Sequence, residues 1–223
     1  MRLKSVIDTI VHKAISPFIQ KYLSAERLHR YKGIKILVRP GVFHPGLFFS
    51  TRVMLGYLEG IKLKDKSFLE IGGGSGLISI SSAIAGAKVT CVDISKLAVE
   101  NIKINAEKND VKMTILDSDL FSAVPKKIFD IIVVNPPYYP EDSTEDSQYA
   151  WYCGKDYQYF TSFFTQIKDY INSNTLILMV LSEVCNLKII TSIAHDLGFS
   201  MEIVHKKHVL WERNFIYQIK GIK

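Results

Sequence analysis

The sequence lacks several features that would assign it to a simple class. No apolar run approaches the roughly 18 residues of a membrane-spanning helix, so we expect no stable membrane insertion. Asp8, His12 and Lys13 interrupt residues 1–23, where a secretory signal would be apolar. The 3 cysteines form no Cys-x-x-Cys pair, which argues against a disulfide framework and a zinc ribbon. We therefore expect a cytoplasmic protein with reduced thiols.

Two further absences narrow the chemistry. There is no Gly-Lys-Ser or Gly-Lys-Thr, so the phosphate-binding P-loop is excluded. His205 and His208 lie on opposite faces of a predicted strand and cannot share a metal ion, so we predict no metal centre. A length of 223 residues, of which 48% are hydrophobic, is enough for one domain with a buried core.

Positive charge is concentrated at the start of the chain. Residues 1–39 contain nine Lys and Arg residues against Asp8 and Glu26, which gives this segment a net charge of +7. The whole chain has a net charge of +6, so the remaining residues are close to neutral. Such a segment can attract nucleic acid, an acidic partner or a membrane surface. It can equally be the solvated surface of a helix.

The same segment has the apolar spacing of a helix over residues 6–19. Pro17 is predicted to open a second helix that runs to about Tyr31. We therefore predict two parts, a basic helical extension over residues 1–33 and a single domain over residues 34–223.

Beyond residue 33 the pattern alternates between strands and helices. Predicted strands are residues 34–38, 67–71, 88–93, 111–116, 129–135, 175–182, 201–210 and 215–220. Predicted helices are residues 50–59, capped by Ser50, and 76–85, 95–108, 157–171 and 186–197. The alternation indicates an α/β fold with a doubly wound, mainly parallel sheet. The last two strands have no helix between them and should form an antiparallel hairpin.

A glycine cluster is the first chemical signal. In Phe68-Leu-Glu-Ile-Gly-Gly-Gly-Ser-Gly76 a predicted buried strand runs into glycines and then a helix. Glycines suit a tight turn against which a ligand lies closely. Leu77 stands where a dinucleotide fingerprint has its third glycine, so that fingerprint is not matched. A merely flexible turn is the alternative.

Acidic residues end the next two predicted strands. Asp93 ends the strand predicted at residues 88–93 and is placed to accept both ribose hydroxyls of a nucleoside cofactor. Asp119 ends the next strand and could accept from an adenine amino group, with Asp117 as the competing candidate. The alternative roles are an ordinary strand-end carboxylate for Asp93 and a turn cap for Asp119.

Asn135-Pro-Pro-Tyr138 leaves the carboxyl end of a predicted buried strand. The Asn135 side-chain oxygen and a nearby backbone carbonyl can accept both N–H groups of a planar amino group and stabilise positive charge on its nitrogen. Prolines have no N–H and restrict the turn, and Tyr138 offers a face for stacking. A rigid strand-end turn is the alternative.

Together these motifs resemble the class I S-adenosylmethionine-dependent methyltransferases over roughly residues 34–220. The resemblance implies a seven-stranded sheet whose last pair is antiparallel, and S-adenosylmethionine as cofactor. It implies cofactor-binding roles for Glu70, Gly72, Gly74, Gly76, Asp93, Asp119 and Asn135. It implies catalytic roles for Asn135, Pro136 and Tyr138.

The acceptor is narrowed to two classes, the side-chain amide of a protein glutamine or an exocyclic amino group of an RNA or DNA base. Gly41-Val-Phe-His-Pro45 with Asn135-Pro-Pro-Tyr138 resembles the glutamine-N5 methyltransferases of peptide-release factors, so a translation factor is a candidate substrate. The related RNA-base enzymes share this upstream segment.

Residues beyond that tetrapeptide bear on the choice. Four acids in residues 139–146 would repel phosphates at the pocket, whereas the basic segment argues for RNA. Trp151 and Tyr152 are candidates for a substrate wall. A binding protein that retains the fold without catalysis and a small-molecule methyltransferase are weaker alternatives, because neither needs the Asn-Pro-Pro-Tyr motif.

Overall fold

The computed structural model describes residues 21–209 and 212–222. Its strands are β1 Arg27–Tyr31, β2 Ile34–Val38, β3 Ser67–Ile71, β4 Lys88–Asp93, β5 Thr114–Asp117, β6 Ile131–Val134, β7 Leu176–Ser182, β8 Phe199–Val209 and β9 Glu212–Gly221. Its α-helices are α1 Phe49–Leu58, α2 Leu77–Ile84, α3 Lys96–Lys108, α4 Gln158–Gln166 and α5 Leu187–Asp196. Short 3₁₀ helices cover Asp146–Gln148 and Ile167–Tyr170.

Seven strands form the main sheet in the order β5-β4-β3-β6-β7-β9-β8. The pairs from β5 to β7 are parallel, and β9 pairs antiparallel with both β7 and β8. The central strands are apolar and buried on both faces, as parallel strands covered by helices are. The predicted doubly wound α/β fold with an antiparallel terminal hairpin is confirmed.

Two apolar clusters cover the two faces of this sheet. On one face, α4 and α5 pack against the strands through Phe160, Phe163, Phe164, Ile190 and Ala194. On the other face, α1, α2, α3 and β2 pack through Ile36, Met54, Leu77, Ile80 and Ile102. The core therefore lies within the predicted domain, and loops follow the carboxyl ends of the parallel strands.

The start of the chain differs from its prediction. Residues 21–23 are helical, but Arg27–Tyr31 is a strand paired antiparallel with β2, so the helix predicted to reach Tyr31 is wrong there. Lys32 and Gly33, both with positive φ, make the tight turn that pairs the two strands. The helix predicted over residues 6–19 lies outside the described residues. The division into two parts at residue 33 stays a prediction.

Ser50 was predicted to cap α1, and that prediction is also wrong. Phe48 occupies the cap position without a side-chain hydrogen bond, and Ser50 lies one residue inside the helix. Its hydroxyl is buried and turned toward the carboxyl end of the sheet. Within the described part of the chain, no helix is long and apolar enough to cross a membrane.

Candidate active site

The sheet changes its winding direction between β3 and β6. After β3 the chain adds β4 and β5 on one side, whereas β6 and β7 extend the sheet on the other. In open α/β sheets a ligand crevice forms at such a point, beyond the carboxyl ends of the strands. Gly72 follows β3, and a Cβ placed on it would lie 3.9 Å from the backbone oxygen of Asn135, which follows β6. The two predicted motifs therefore meet.

The glycine loop, residues 72–76, is shaped by left-handed backbone. Gly74 has φ +54°, and a Cβ there would lie 3.5 Å from the Cβ of Phe43. Gly73 was not singled out from the sequence, yet a Cβ on it would overlap the sulfur of Cys91 beneath the loop. The loop therefore needs glycine for two reasons, its conformation at Gly74 and its close packing at Gly73.

Asp93 lies at the end of β4, directly under this loop. One carboxylate oxygen accepts from the Gly74 N–H at 2.8 Å, and the other accepts from the Ser95 N–H at 2.9 Å. Burial raises the pKa of Asp93 to about 6 against these two hydrogen bonds. The carboxylate thus holds the loop and keeps free lone pairs, which suits its predicted ribose contact.

Glu70 lies behind the loop rather than in the crevice. It is 2% exposed, and one carboxyl oxygen accepts from the Ser79 hydroxyl and lies 3.9 Å from the Cys91 sulfur. Burial raises the pKa of Glu70 to about 8. These contacts support the α2 end of the loop, and the predicted contact of Glu70 with the cofactor stays a prediction.

Asp117 and Asp119 are both exposed at the end of β5. Tyr159 lies close to this edge, and burial, with smaller contributions from the Asp93 and Asp119 carboxylates, raises the pKa of its hydroxyl. The choice between Asp117 and Asp119 as the adenine-side residue stays a prediction. Tyr159 was not predicted as a site residue. The two acids that act on its pKa are distant in sequence, so the aromatic run around Tyr159 gave no sign of them.

Beyond the carboxyl end of β6, the Asn135 side chain forms two hydrogen bonds. Its Nδ2 donates to the Ser50 hydroxyl at 3.2 Å, and its Oδ1 accepts from the Tyr138 hydroxyl at 3.1 Å. Burial raises the pKa of Tyr138 well above its ordinary value, so its hydroxyl stays protonated and remains a donor. An amide oxygen is therefore held at the crevice with a donor already on it.

The turn itself is fixed by backbone. The N–H groups of Tyr138 and Tyr139 both donate to the Trp151 carbonyl, at 3.0 and 2.9 Å. Pro136 and Pro137 are buried and carry no N–H of their own. This clamp was not predicted, because it joins residues separated by a loop of no regular pattern.

Aromatic rings line the mouth of the crevice. The Trp151 ring centroid lies 5.5 Å from Phe43 and 4.7 Å from Phe48. A cavity of about 410 Å³ opens beside this cluster and is lined by Leu23, Ser24, Pro40, Gly41, Val42, Ser147, Gln148 and Trp151. The prediction of Trp151 as a substrate wall is consistent with this place but stays a prediction.

The acidic loop, residues 139–146, reaches back to the cofactor side. The Ser95 hydroxyl donates to Asp146 at 2.6 Å and also caps α3 by accepting from the Ala98 N–H. Asp142 instead forms an ion pair with Lys155 at 3.0 Å. Asp146 and Asp142 thus have partners within the protein, and Glu141, Asp142 and Glu145 are exposed.

Comparison with known proteins adds to this geometry. The family model described as Methyltransferase small domain matches residues 33–190. A Methanocaldococcus jannaschii protein named "putative protein N5-glutamine methyltransferase" is 36% identical over 187 residues, 81% of this chain and 92% of that protein.

Two solved structures share the fold at low identity. One is the E. cuniculi Mtq2–Trm112 complex responsible for methylation of the eRF1 translation termination factor, with TM-score 0.62, 19% identity, and 81% of this chain and 99% of that chain covered. The other is the T. thermophilus 16S rRNA N2 G1207 methyltransferase RsmC with AdoMet and guanosine, with TM-score 0.60, 18% identity, and 86% of this chain and 50% of that chain covered.

Proposed function

Because the chain belongs to the methyltransferase small domain family, we propose that it methylates the side-chain amide nitrogen of a glutamine in a protein. It is a methyltransferase, and its family implies S-adenosylmethionine as the methyl donor. The observation that supports a planar amino nitrogen as the acceptor is the Asn135 side-chain oxygen, which the Tyr138 hydroxyl holds beyond the carboxyl end of β6.

The glycine loop and Asp93 are the proposed cofactor site. Gly74 presents backbone without a Cβ, and the buried Asp93 carboxylate retains lone pairs beside it. When bound, the cofactor supplies an electrophilic methyl group on a sulfonium sulfur. In this proposal Asp93 accepts the ribose hydroxyls, Asp119 and Tyr159 lie at the adenine end, and Gly72 brings the loop to Asn135.

The acceptor nitrogen is a weak nucleophile, because its lone pair is delocalised into the carbonyl. Asn135 Oδ1 accepts one N–H of this nitrogen, and a backbone carbonyl of the Pro136-Pro137 turn accepts the other. These bonds aim the nitrogen at the methyl group and stabilise the positive charge that develops as the N–C bond forms and the S–C bond breaks. The nitrogen then loses a proton to solvent.

Two observations favour a protein over RNA as the substrate. Glu141 and Glu145 are exposed near the crevice, and their charge opposes a phosphate backbone. The M. jannaschii relative covers most of this chain, and its name gives a glutamine side chain as the acceptor. A translation factor is the protein class that the Asn-Pro-Pro-Tyr resemblance suggests.

An exocyclic amino group of an RNA base is the second candidate. It is favoured by the net charge of +7 on residues 1–39. A base would have to leave its stack to reach Asn135, and the aromatic rings around Trp151 could then stack on it.

The cytoplasmic location expected from the sequence also stays a prediction.

The test is transfer of tritium from labelled S-adenosylmethionine into a cell lysate by the purified protein. The label should be removed by protease and survive nuclease. The Asn135→Ala variant, incubated in parallel, should transfer about a hundredfold less label than the wild type. Label that survives protease but is released by nuclease would overturn the protein substrate in favour of RNA.

A further inference from the structure

Three asparagines follow at intervals of four residues, Asn101 and Asn105 within α3 and Asn109 at its C-terminal cap. Each of the three accepts one backbone N–H through its Oδ1. The donors are Arg39, directly after β2, and Leu37 and Lys35 within β2, at 3.1, 2.8 and 3.0 Å. Four helical residues rise about 6 Å, and two strand residues about 6.6 Å, so the two spacings match. We call these three residues the asparagine ladder; it pairs the open edge of β2.

Asn105 differs from the other two members of the ladder. Its Nδ2 donates to the Leu37 carbonyl at 2.8 Å and also to the Ser75 carbonyl in the glycine loop at 2.9 Å. Asn101 is equally buried, but its Nδ2 donates to Leu37 alone. Asn105 therefore links β2 to the glycine loop, with both of its N–H groups used.

The Ser75 contact fixes the loop from behind. The Ser75 carbonyl accepts from Asn105, and the N–H of the same peptide unit, on Gly76, donates to the Gly73 carbonyl at 2.8 Å. That peptide is held at both ends, directly beside Gly74. On the other side of Asn105, β2 leads into the segment that carries Phe43, whose Cβ faces Gly74.

We propose that Asn105 is a positioning residue that sets the separation between Gly74 and Phe43, and through it the affinity for the cofactor. The proposal rests on the placement of the cofactor at the glycine loop. Asn105 lies behind the loop and acts only through Ser75 and Leu37. The ladder as a whole stabilises the fold, whereas this one rung also shapes the binding surface.

The test compares Asn105→Asp with Asn101→Asp. Both changes keep the shape of the side chain and its Oδ1 acceptor, and both remove the Nδ2 donor to the Leu37 carbonyl. Only Asn105→Asp also removes the hydrogen bond to the Ser75 carbonyl. Calorimetric titration with S-adenosylhomocysteine should show about a tenfold weaker Kd for Asn105→Asp and less than a twofold change for Asn101→Asp. Both substitutions should lower the Tm measured by thermal unfolding without ligand.

An equal loss of affinity in the two variants, or none in Asn105→Asp, would overturn the proposal. If the buried aspartates prevent folding, Asn105→Ala and Asn101→Ala repeat the comparison. Amide hydrogen exchange then gives a second readout: Gly76 should exchange faster in Asn105→Ala than in Asn101→Ala, and equal exchange rates contradict the proposal.

A third variant separates this inference from the proposed cofactor site. Asp93→Ala should lose affinity for S-adenosylhomocysteine because it removes the ribose acceptor. Unchanged affinity in Asp93→Ala means that the site itself is misplaced. Lost affinity in Asp93→Ala, with Asn105→Asp equal to Asn101→Asp, means that only the role of Asn105 is wrong.

Discussion

The two sides of the crevice are built in different ways. On the proposed cofactor side, Asp93 accepts from Gly74 and Ser95, so its contacts join residues no more than 19 positions apart. On the acceptor side, Ser50 and Asn135 meet across 85 positions, and neither has a charge. The cofactor side is a local motif of backbone and carboxylate, whereas the acceptor side is an assembly of neutral side chains that only the complete fold brings together.

This difference predicts a division of labour between affinity and turnover. Asn135→Ala should lower kcat about 10²–10³-fold, or ~2.7–4 kcal/mol. The change removes the oxygen that accepts a hydrogen bond from the substrate nitrogen, and that hydrogen bond strengthens as positive charge develops on the nitrogen in the transition state. Steady-state assays with labelled cofactor would measure the change. Cofactor affinity and Tm should change little. A large loss of cofactor affinity would mean that Asn135 belongs to the cofactor side of the crevice and not to the acceptor side.

The buried carboxyl behind the loop gives the cofactor side a pH dependence. The folded-state pKa of Glu70, about 8, lies above its ordinary value of 4.5, so the folded state holds the proton more tightly than the unfolded state. The free energy of unfolding therefore falls as pH rises from 4.5 toward 8.

Glu70→Gln cannot ionise and should escape this loss. The difference in unfolding free energy between Glu70→Gln and wild type should shift in favour of the variant by about 3 kcal/mol between pH 5 and pH 8. Urea unfolding at the two pH values measures it. A difference that does not change with pH would mean that Glu70 ionises freely in the folded protein.

Asp93 tests the cofactor side itself. Asp93→Ala should weaken the Kd for the cofactor more than tenfold, since a hydrogen bond to a charged group contributes roughly 1.5–3 kcal/mol. In the wild type, affinity should also fall below about pH 6 as the carboxyl takes up a proton. Calorimetric titration at pH 5 and pH 7.5 checks both, with Asp93→Asn as the control whose affinity should not follow this titration.

Ser50→Ala gives the smallest expected effect and the sharpest contrast with Asp93. Removal of the Ser50 hydroxyl leaves Asn135 Nδ2 without its partner and frees the amide to rotate, so kcat should fall about tenfold. Cofactor affinity should stay unchanged. Thr51→Ala is the matched control, because it removes a buried hydroxyl from the same helix, and it should keep wild-type turnover. Equal losses of turnover in the two variants would mean that any change in α1 lowers turnover, and that the Ser50 hydrogen bond has no special role.

The same contrast explains what the sequence could and could not reveal. The strand at residues 67–71, the glycines after it and Asp93 at the end of the next strand follow from local pattern, and the structure places them as predicted. Ser50 was read as a helix cap because its neighbours in sequence allowed that role, and its partner Asn135 lies on another element. Gly73 was missed for the same reason, since its role is defined by close packing against Cys91 on the next strand.

The wrong prediction of a helix up to Tyr31 has a related cause. Arg27–Tyr31 has an apolar spacing that a helix also tolerates, and only pairing with β2 makes it a strand. The asparagine spacing on α3 was visible in the sequence, but its meaning depends on the strand that lies against it. Long-range pairing therefore decides the features that local pattern leaves open.

The most direct test of the central claim is the identity of the methylated atom. A protein that accepts label from the purified enzyme would be digested, and its peptides sequenced by tandem mass spectrometry. The account predicts a single added methyl group on the side-chain nitrogen of one glutamine, absent when Asn135→Ala replaces the wild type. A methyl group on a carboxylate, a lysine or a nucleotide base would contradict it.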